Sequence, residues 1–301
     1  MSGTDDTAAE PAAGEQQAPD TDDPEVSMAR PASTQGSDAL AESLVGLIRP
    51  VLAGERPLDT KGAVATALAG KPNATVEPSR IAFGLDANII LKLHNRATEA
   101  DFLTGRHGGV LIMPSQAIQE FWNNKSSTQS VAEKVKSAYL TLERVIADLD
   151  PEHQEFKDGF AAALETFEKS AGHLWAPDFR AKVASTFSSL AARAREPRFP
   201  KLVLADVARE RQLTKTPPGF KDNGNGDLYV WAEFLLGLLE AKRDGDVFDL
   251  AVLVTEDKKS DWGKGGEAHP VLIAELWELV GVPFETWDLG RLQRFAADAV
   301  S

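Results

Sequence analysis

The stretch "IAFGLDANIILKL" (residues 81–93) decides the reading of this chain. Ile81 to Leu85 is a short, continuous apolar run, the pattern of a strand buried on both faces in a parallel sheet. An apolar-periodic helix follows with no spacer, and Asp86 stands where the two meet. A carboxylate at the carboxyl end of a central strand is costly unless something pairs with it. In open α/β sheets that end is also where ligands bind.

Working outward, the same grammar repeats. "GGVLIMP" (108–114) reads as a second short strand, and Pro114 opens the helix "PSQAIQEFWNN". "FDLAVLVTED" reads as a third strand ending in carboxylates, and "PFETWDL" as a fourth. Between them lie the loop "LTKTPPGFKDNGNG" (213–226), the apolar helix "DLYVWAEFLLGLLEAKR" opening at Asp227, and the helix "HPVLIAELWELVG". A helix at 289–299 closes the chain. Strands alternating with helices predict a three-layer α/β/α sandwich with a mostly parallel sheet. Residues 126–212 read as almost wholly helical, broken near Pro151, Pro177 and Pro197, and form a large helical insertion.

The N-terminal part is different. Residues 1–36 are built from Ala, Pro, Gly, Ser, Thr, Gln, Asp and Glu, a composition that cannot offset its ordering entropy, so a disordered acidic leader is expected. Residues 37–79 form an N-terminal helical segment, with Ser37 or Asp38 as a cap and Gly54 as a stop, followed by a shorter helix in "TKGAVATALAG". Residues 80–301 make the main domain.

The chain carries a net charge of −14, of which residues 1–38 account for −8. That balance argues against a general nucleic-acid coat protein, because phosphate contacts need Lys and Arg. It does not exclude a nucleic-acid enzyme whose acids are neutralised by metal. The absence of cysteine excludes disulfides and thiolate metal sites and fits a reducing cytoplasm. No apolar run approaches a membrane span, so no membrane partner is expected.

Four acidic residues fall at the carboxyl edge of the predicted sheet: Asp86 after strand one, Glu120 in the helix after strand two, Asp227 and Asp257. Asp222 and Asp261 are close enough in sequence to join as outer members. Several carboxylates in one crevice cannot all stay ionised without a cation among them. Oxygen-only ligands favour Mg2+ or Mn2+ over zinc. Such ions can activate a water for phosphodiester hydrolysis. Each acid also has a plainer reading. Asp86 and Asp227 suit helix caps, Glu120 an exposed helix position, Asp222 an Asx-turn, and Asp257 and Asp261 a solvated turn beside Lys258 and Lys259. The plain readings leave the coincidence at one edge unexplained.

The ordered blocks "LDANIILKL", "PSQAIQEFW", "PPGFKDNGNGDLYVW" and "LVTEDKKSDW" resemble the bacterial PIN-like domains, a branch of the PIN nuclease superfamily. The resemblance spans about residues 80–262. It departs after Trp262, where a second Trp is usual and this chain has Gly263 and the looser "GKGGE". It implies a metal-dependent nuclease, most often acting on RNA, with Asp86, Glu120, Asp227 and Asp257 as metal ligands and Asp222 and Asp261 on further acidic positions. It also implies that Thr255 orients a ligand or the attacking water, that Asn88 braces the first loop, and that Lys221, Lys258 and Lys259 either contact phosphate or neutralise neighbouring acids.

Among the tryptophans, Trp122, Trp231 and Trp277 lie in apolar helices and are expected in the core, whereas Trp262 is the candidate for base stacking. His94, two turns after Asp86, suits a surface or core role better than a ligand. The expected function is a metal-dependent endoribonuclease using a metal-activated water. A structure-selective DNA nuclease, a non-catalytic module binding RNA or protein, and a toxin or defence nuclease with an antitoxin or regulatory partner are the rivals.

Overall fold

A computed structural model describes residues 34–69, 76–172, 176, 178–221, 224–257, 260–264 and 267–299. The expected leader lies almost wholly outside the described residues, as do Asp222, Lys258 and Lys259.

The centre is a four-stranded sheet of β1 (Ile81–Leu85), β2 (Leu111–Ile112), β3 (Leu250–Val254) and β6 (Phe284–Trp287). Its order is β2-β1-β3-β6, and every pairing is parallel. All five residues of β1 and of β3 are buried, which is why both read as unbroken apolar runs. The expected four strands are therefore present, with the first in the interior of the sheet. β2 is shorter than expected, but its open edge is covered. Residues 195–197 run beside it, with the Arg195 N–H donating to Leu111 O (2.8 Å) and the Met113 N–H to Arg195 O (2.9 Å).

Helices cover both faces of the sheet. On one face, Phe83 of β1 meets Phe102, His107 and Trp287, together with Phe295 from α11 (Leu289–Asp298). On the other, the Cα of Gly84 lies against Phe234 of α9 (Gly226–Arg243): a Cβ there would stand 2.5 Å from the ring. Residue 84 has no room for a side chain because α9 packs directly on the strand. Beside α9 lie α1 (Thr34–Leu52) and α10 (Pro270–Val280), and α2 (Thr60–Ala69) packs on α10.

α3 (Ala87–Lys92) and α4 (Ala97–Asp101) connect β1 to β2. The helical insertion is present as α5 (Ser115–Ala147), α6 (Gln154–Ala171), α7 (Phe179–Arg193) and α8 (Ala205–Thr214). Its expected start at 126 is corrected: the helix that carries Glu120 continues unbroken to Ala147. α6 folds back along it, where the Tyr139 hydroxyl donates to Glu168 (3.1 Å). After Trp262, Gly263–Lys264 (β4) and Glu267–Ala268 (β5) pair as two short antiparallel strands.

Candidate active site at the carboxyl edge of the sheet

β1 and β3 are paired with Leu85 opposite Val254, so the residues just beyond them are brought together. The Thr255 hydroxyl donates to Asp86 Oδ2 at 2.8 Å. The other oxygen of Asp86 accepts the Ala87 N–H at 2.7 Å, which makes Asp86 the cap of α3. The cap reading thus accounts for one oxygen, and a cross-strand contact takes the other. The Asp257 N–H donates to the same Thr255 hydroxyl at 3.0 Å, folding the chain after β3 back toward Asp86. Glu256 turns elsewhere: it accepts the Leu289 N–H at 3.1 Å and lies 3.3 Å from Lys92 Nζ. Asn88 is exposed on the first turn of α3. His94 packs edge-on against Phe179 of the insertion, a local structural role.

Glu120 reaches the start of α9, beside the residue that precedes Asp227. A Cβ on Gly226 would stand 2.3 Å from Glu120 Oε1, so the Glu120 carboxylate rests on the backbone immediately before Asp227. Asp227 is not the helix cap that its plainer reading made it. Asn225 holds that position, and Asp227 lies one residue inside α9. Gly219, at φ +88°, supports Asp227 from below, with a Cβ there 3.2 Å from Asp227 Cβ. A left-handed turn is needed to bring the backbone so close, which glycine allows at low cost. The Gly219 N–H donates to Asp261 Oδ2 at 3.1 Å. Asp261 is fully buried, and its other oxygen has no partner among the described residues. His269 lies near it: burial pushes the imidazole below its usual range, opposed by Asp261.

The turn is held from its other end by a buried ion pair. Arg211 of α8 donates to Pro217 O and to Leu52 O (3.0 Å), and pairs with Glu275 of α10 at 2.7 Å. The second oxygen of Glu275 accepts the Trp231 N–H at 2.7 Å. Lys221 donates to Ser260 Oγ at 2.6 Å, joining the two loops that flank the acids.

Three residues that sequence reasoning missed belong to this edge. Gln116 donates through Nε2 to Glu120 Oε1 at 2.7 Å, while Lys201 Nζ donates to Gln116 Oε1. Glu233 of α9 accepts the Gln116 backbone N–H at 2.6 Å and so closes the N-terminus of α5, fixing the helix one turn before Glu120. Burial pushes the Glu233 carboxyl up, opposed by the backbone donors of Gln116 and Phe199. The only signal for any of these was "SQAIQE", which places Gln116 four residues before Glu120 on one helix face.

Two expectations are corrected. Trp262 is 4 % exposed and packs edge-on against Trp231, so it offers no face to a base. Trp231 is in the core as expected, but Trp122 and Trp277 are 61 % and 57 % exposed. No family model, curated protein or solved structure matches this chain. The family resemblance therefore rests on the quoted motifs alone.

The donors at this edge are carboxylate and hydroxyl oxygens, which suit a hard divalent ion. The buried, unpartnered Asp261 oxygen and the glycine cradle under Glu120 fit such an ion as well. Among the described residues, no three acidic or histidine side chains converge closely enough to hold an ion as they stand. The contacts form two groups rather than one closed cage: Asp86 with Thr255 and the Asp257 backbone, and Glu120 beside Gly226 with Gly219 touching Asp227 and Asp261.

Proposed function

We propose that the protein is a metal-dependent phosphodiesterase of the PIN-like type, an endoribonuclease whose Asp86, Glu120, Asp227 and Asp257 hold Mg2+ or Mn2+. The observation that carries this reading is the Thr255–Asp86 hydrogen bond across the paired ends of β1 and β3, with the Asp257 N–H on the same hydroxyl. A capping aspartate needs no such partner. A ligand whose second oxygen must be aimed does.

When bound, the ion would supply a lowered water pKa and charge neutralisation at the scissile phosphate. The chain's own part is to hold oxygens in place. Thr255 fixes the rotation of the Asp86 carboxylate, Gln116 fixes that of Glu120, and the Gly219 turn seats Asp227. Lys221, and Lys258 and Lys259 by motif, supply positive charge for phosphate.

Asp86→Asn keeps the Ala87 cap and the side-chain size but removes one charge. It is expected to lower RNA cleavage in Mn2+ by at least about a hundredfold, the scale of losing a group the chemistry requires, with thermal unfolding little changed. Cleavage by the purified variant at the wild-type rate would refute the assignment. Hairpin RNA and flapped DNA assayed in parallel separate the ribonuclease from the DNA-nuclease alternative. One observation favours a second reading, a non-catalytic module that binds RNA or protein: the acids form no three-member group among the described residues. That module would give no Mn2+ heat above background in calorimetry and no cleavage.

A further inference from the structure

The geometry points to a nucleotide subsite formed by Lys201 and Tyr229 beside Glu120, taking one base and an adjacent phosphate of single-stranded nucleic acid. This deepens the nuclease reading and rests on it. Lys201 lies outside the four quoted blocks, and Tyr229 lies inside "PPGFKDNGNGDLYVW" at a position to which that block assigns no role.

Lys201 begins the short 3-10 helix Lys201–Leu204, just past the segment 195–197 that pairs with β2. That pairing carries the end of the insertion back to the acidic edge. Lys201 is exposed, and its ammonium donates to two neutral amide oxygens, Gln116 Oε1 and Gln119 Oε1 (3.1 Å for the latter). Among the described residues it forms no ion pair with a carboxylate. A lysine whose task was to neutralise Glu120 would donate to it. Here Gln116 stands between them, with one end of its amide on each. Lys201 thus stands one amide away from Glu120, with its ammonium hydrogen-bonded to neutral acceptors.

The same ammonium lies 5.4 Å from the ring centroid of Tyr229. Tyr229 is half-buried on the first turns of α9, two residues after Asp227. A phosphate is a stronger acceptor for an ammonium than a neutral amide, because charge-assisted hydrogen bonds are roughly twice as strong. On moving to a phosphate, Lys201 would uncover the Tyr229 face for a base. Cationic groups that follow the backbone and aromatic rings that stack bases are the two components of single-strand recognition. Duplex, with its bases already stacked, can use the first but not the second.

The test is binding of a fluorescein-labelled decauridylate to the full chain by anisotropy in EDTA, where cleavage does not intervene, over a salt series. Lys201→Gln is expected to reduce the slope of log K against log[salt] by about 0.7, one phosphate contact on a single strand. Tyr229→Leu is expected to weaken binding by about five- to a hundredfold, while Tyr229→Phe, which keeps the ring, binds as wild type. The subsite is overturned alone if the wild type binds and cleaves and the Lys201→Gln and Tyr229→Leu proteins match it. It is equally overturned if Tyr229→Phe loses as much as Tyr229→Leu. A wild type that neither binds the oligonucleotide nor cleaves RNA with Mn2+ removes the nuclease reading together with the subsite.

Discussion

At the scale of single residues, the position of a carboxylate is legible in sequence and its partners are not. Asp86 could be placed at a strand end because a buried strand must be apolar and Asp86 interrupts it. Nothing local shows that Thr255, 169 residues later, reaches its second oxygen. Asp227 is not the cap of α9, because "NGNGD" offers Asn225, two residues earlier, in that position. The tryptophans failed for a related reason: apolar neighbours in sequence do not say which face of a helix another element will cover. Trp262 is buried because Trp231 comes to meet it, and Trp277 is exposed because nothing among the described residues covers that part of α10. Gly226 gives the sharpest residue-scale prediction. Its missing Cβ makes room for Glu120, so Gly226→Ala would displace that carboxylate, while a flexible side chain can yield with little cost to the fold. Stability should change by no more than about 1 kcal/mol, with better helix propensity offsetting part of the crowding. Cleavage should fall by about ten- to a hundredfold, as when a metal ligand loses its support. Parallel thermal unfolding and cleavage assays check both halves, and equal losses in both would mean that the glycine serves the fold rather than the site.

At the scale of elements, the strands and their order of appearance could be read because each buried strand is short, apolar and followed by a polar break. The stretch between α3 and β2 could not. It passes through the short 3-10 helix Leu93–Asn95, α4 and the π-helical turn Phe102–Arg106, none of which has a periodicity long enough to detect. What fixes it is His107, fully buried between Phe83 and Phe102, whose Nε2 contacts Ile81 O at 2.7 Å. Burial pushes this imidazole down from 6.5 to about 4, with the Ile81 carbonyl opposing and Arg193 adding to the fall. The folded state therefore binds this proton more weakly than the unfolded chain does. The stability it contributes is fully present above pH 6.5 and is lost as the pH falls toward 4. Between pH 7 and pH 5 the loss should be about 2 kcal/mol. Urea unfolding of wild type and His107→Gln at the two pH values measures it, since the variant lacks the titrating group and should lose correspondingly less. An identical pH dependence in both proteins would show that other groups carry it.

At the scale of the whole molecule, the site is assembled by contacts of very different sequence separation. The four candidate acids lie just beyond the ends of β1 and β3 and near the starts of α5 and α9, elements that alternating apolar runs mark in the sequence. The supporting residues come from farther away. Arg211 and Glu275 pin the Gly219 turn from α8 and α10, and Glu233 closes the start of α5 from α9. Lys201 arrives only because the insertion returns along β2. A buried pair such as Arg211–Glu275 is weak evidence of added stability, but removing one partner would strand the other charge. It therefore ties the placement of Asp227 to the integrity of the core. The central claim is that these dispersed carboxylates close around a divalent ion when one is present. Anomalous diffraction from crystals of the full chain soaked in Mn2+ tests it most directly. The account predicts a peak at the carboxyl edge of the sheet, within bonding distance of Asp86 and of at least one of Glu120, Asp227 and Asp257. No peak there, or manganese bound only elsewhere on the surface, would contradict it.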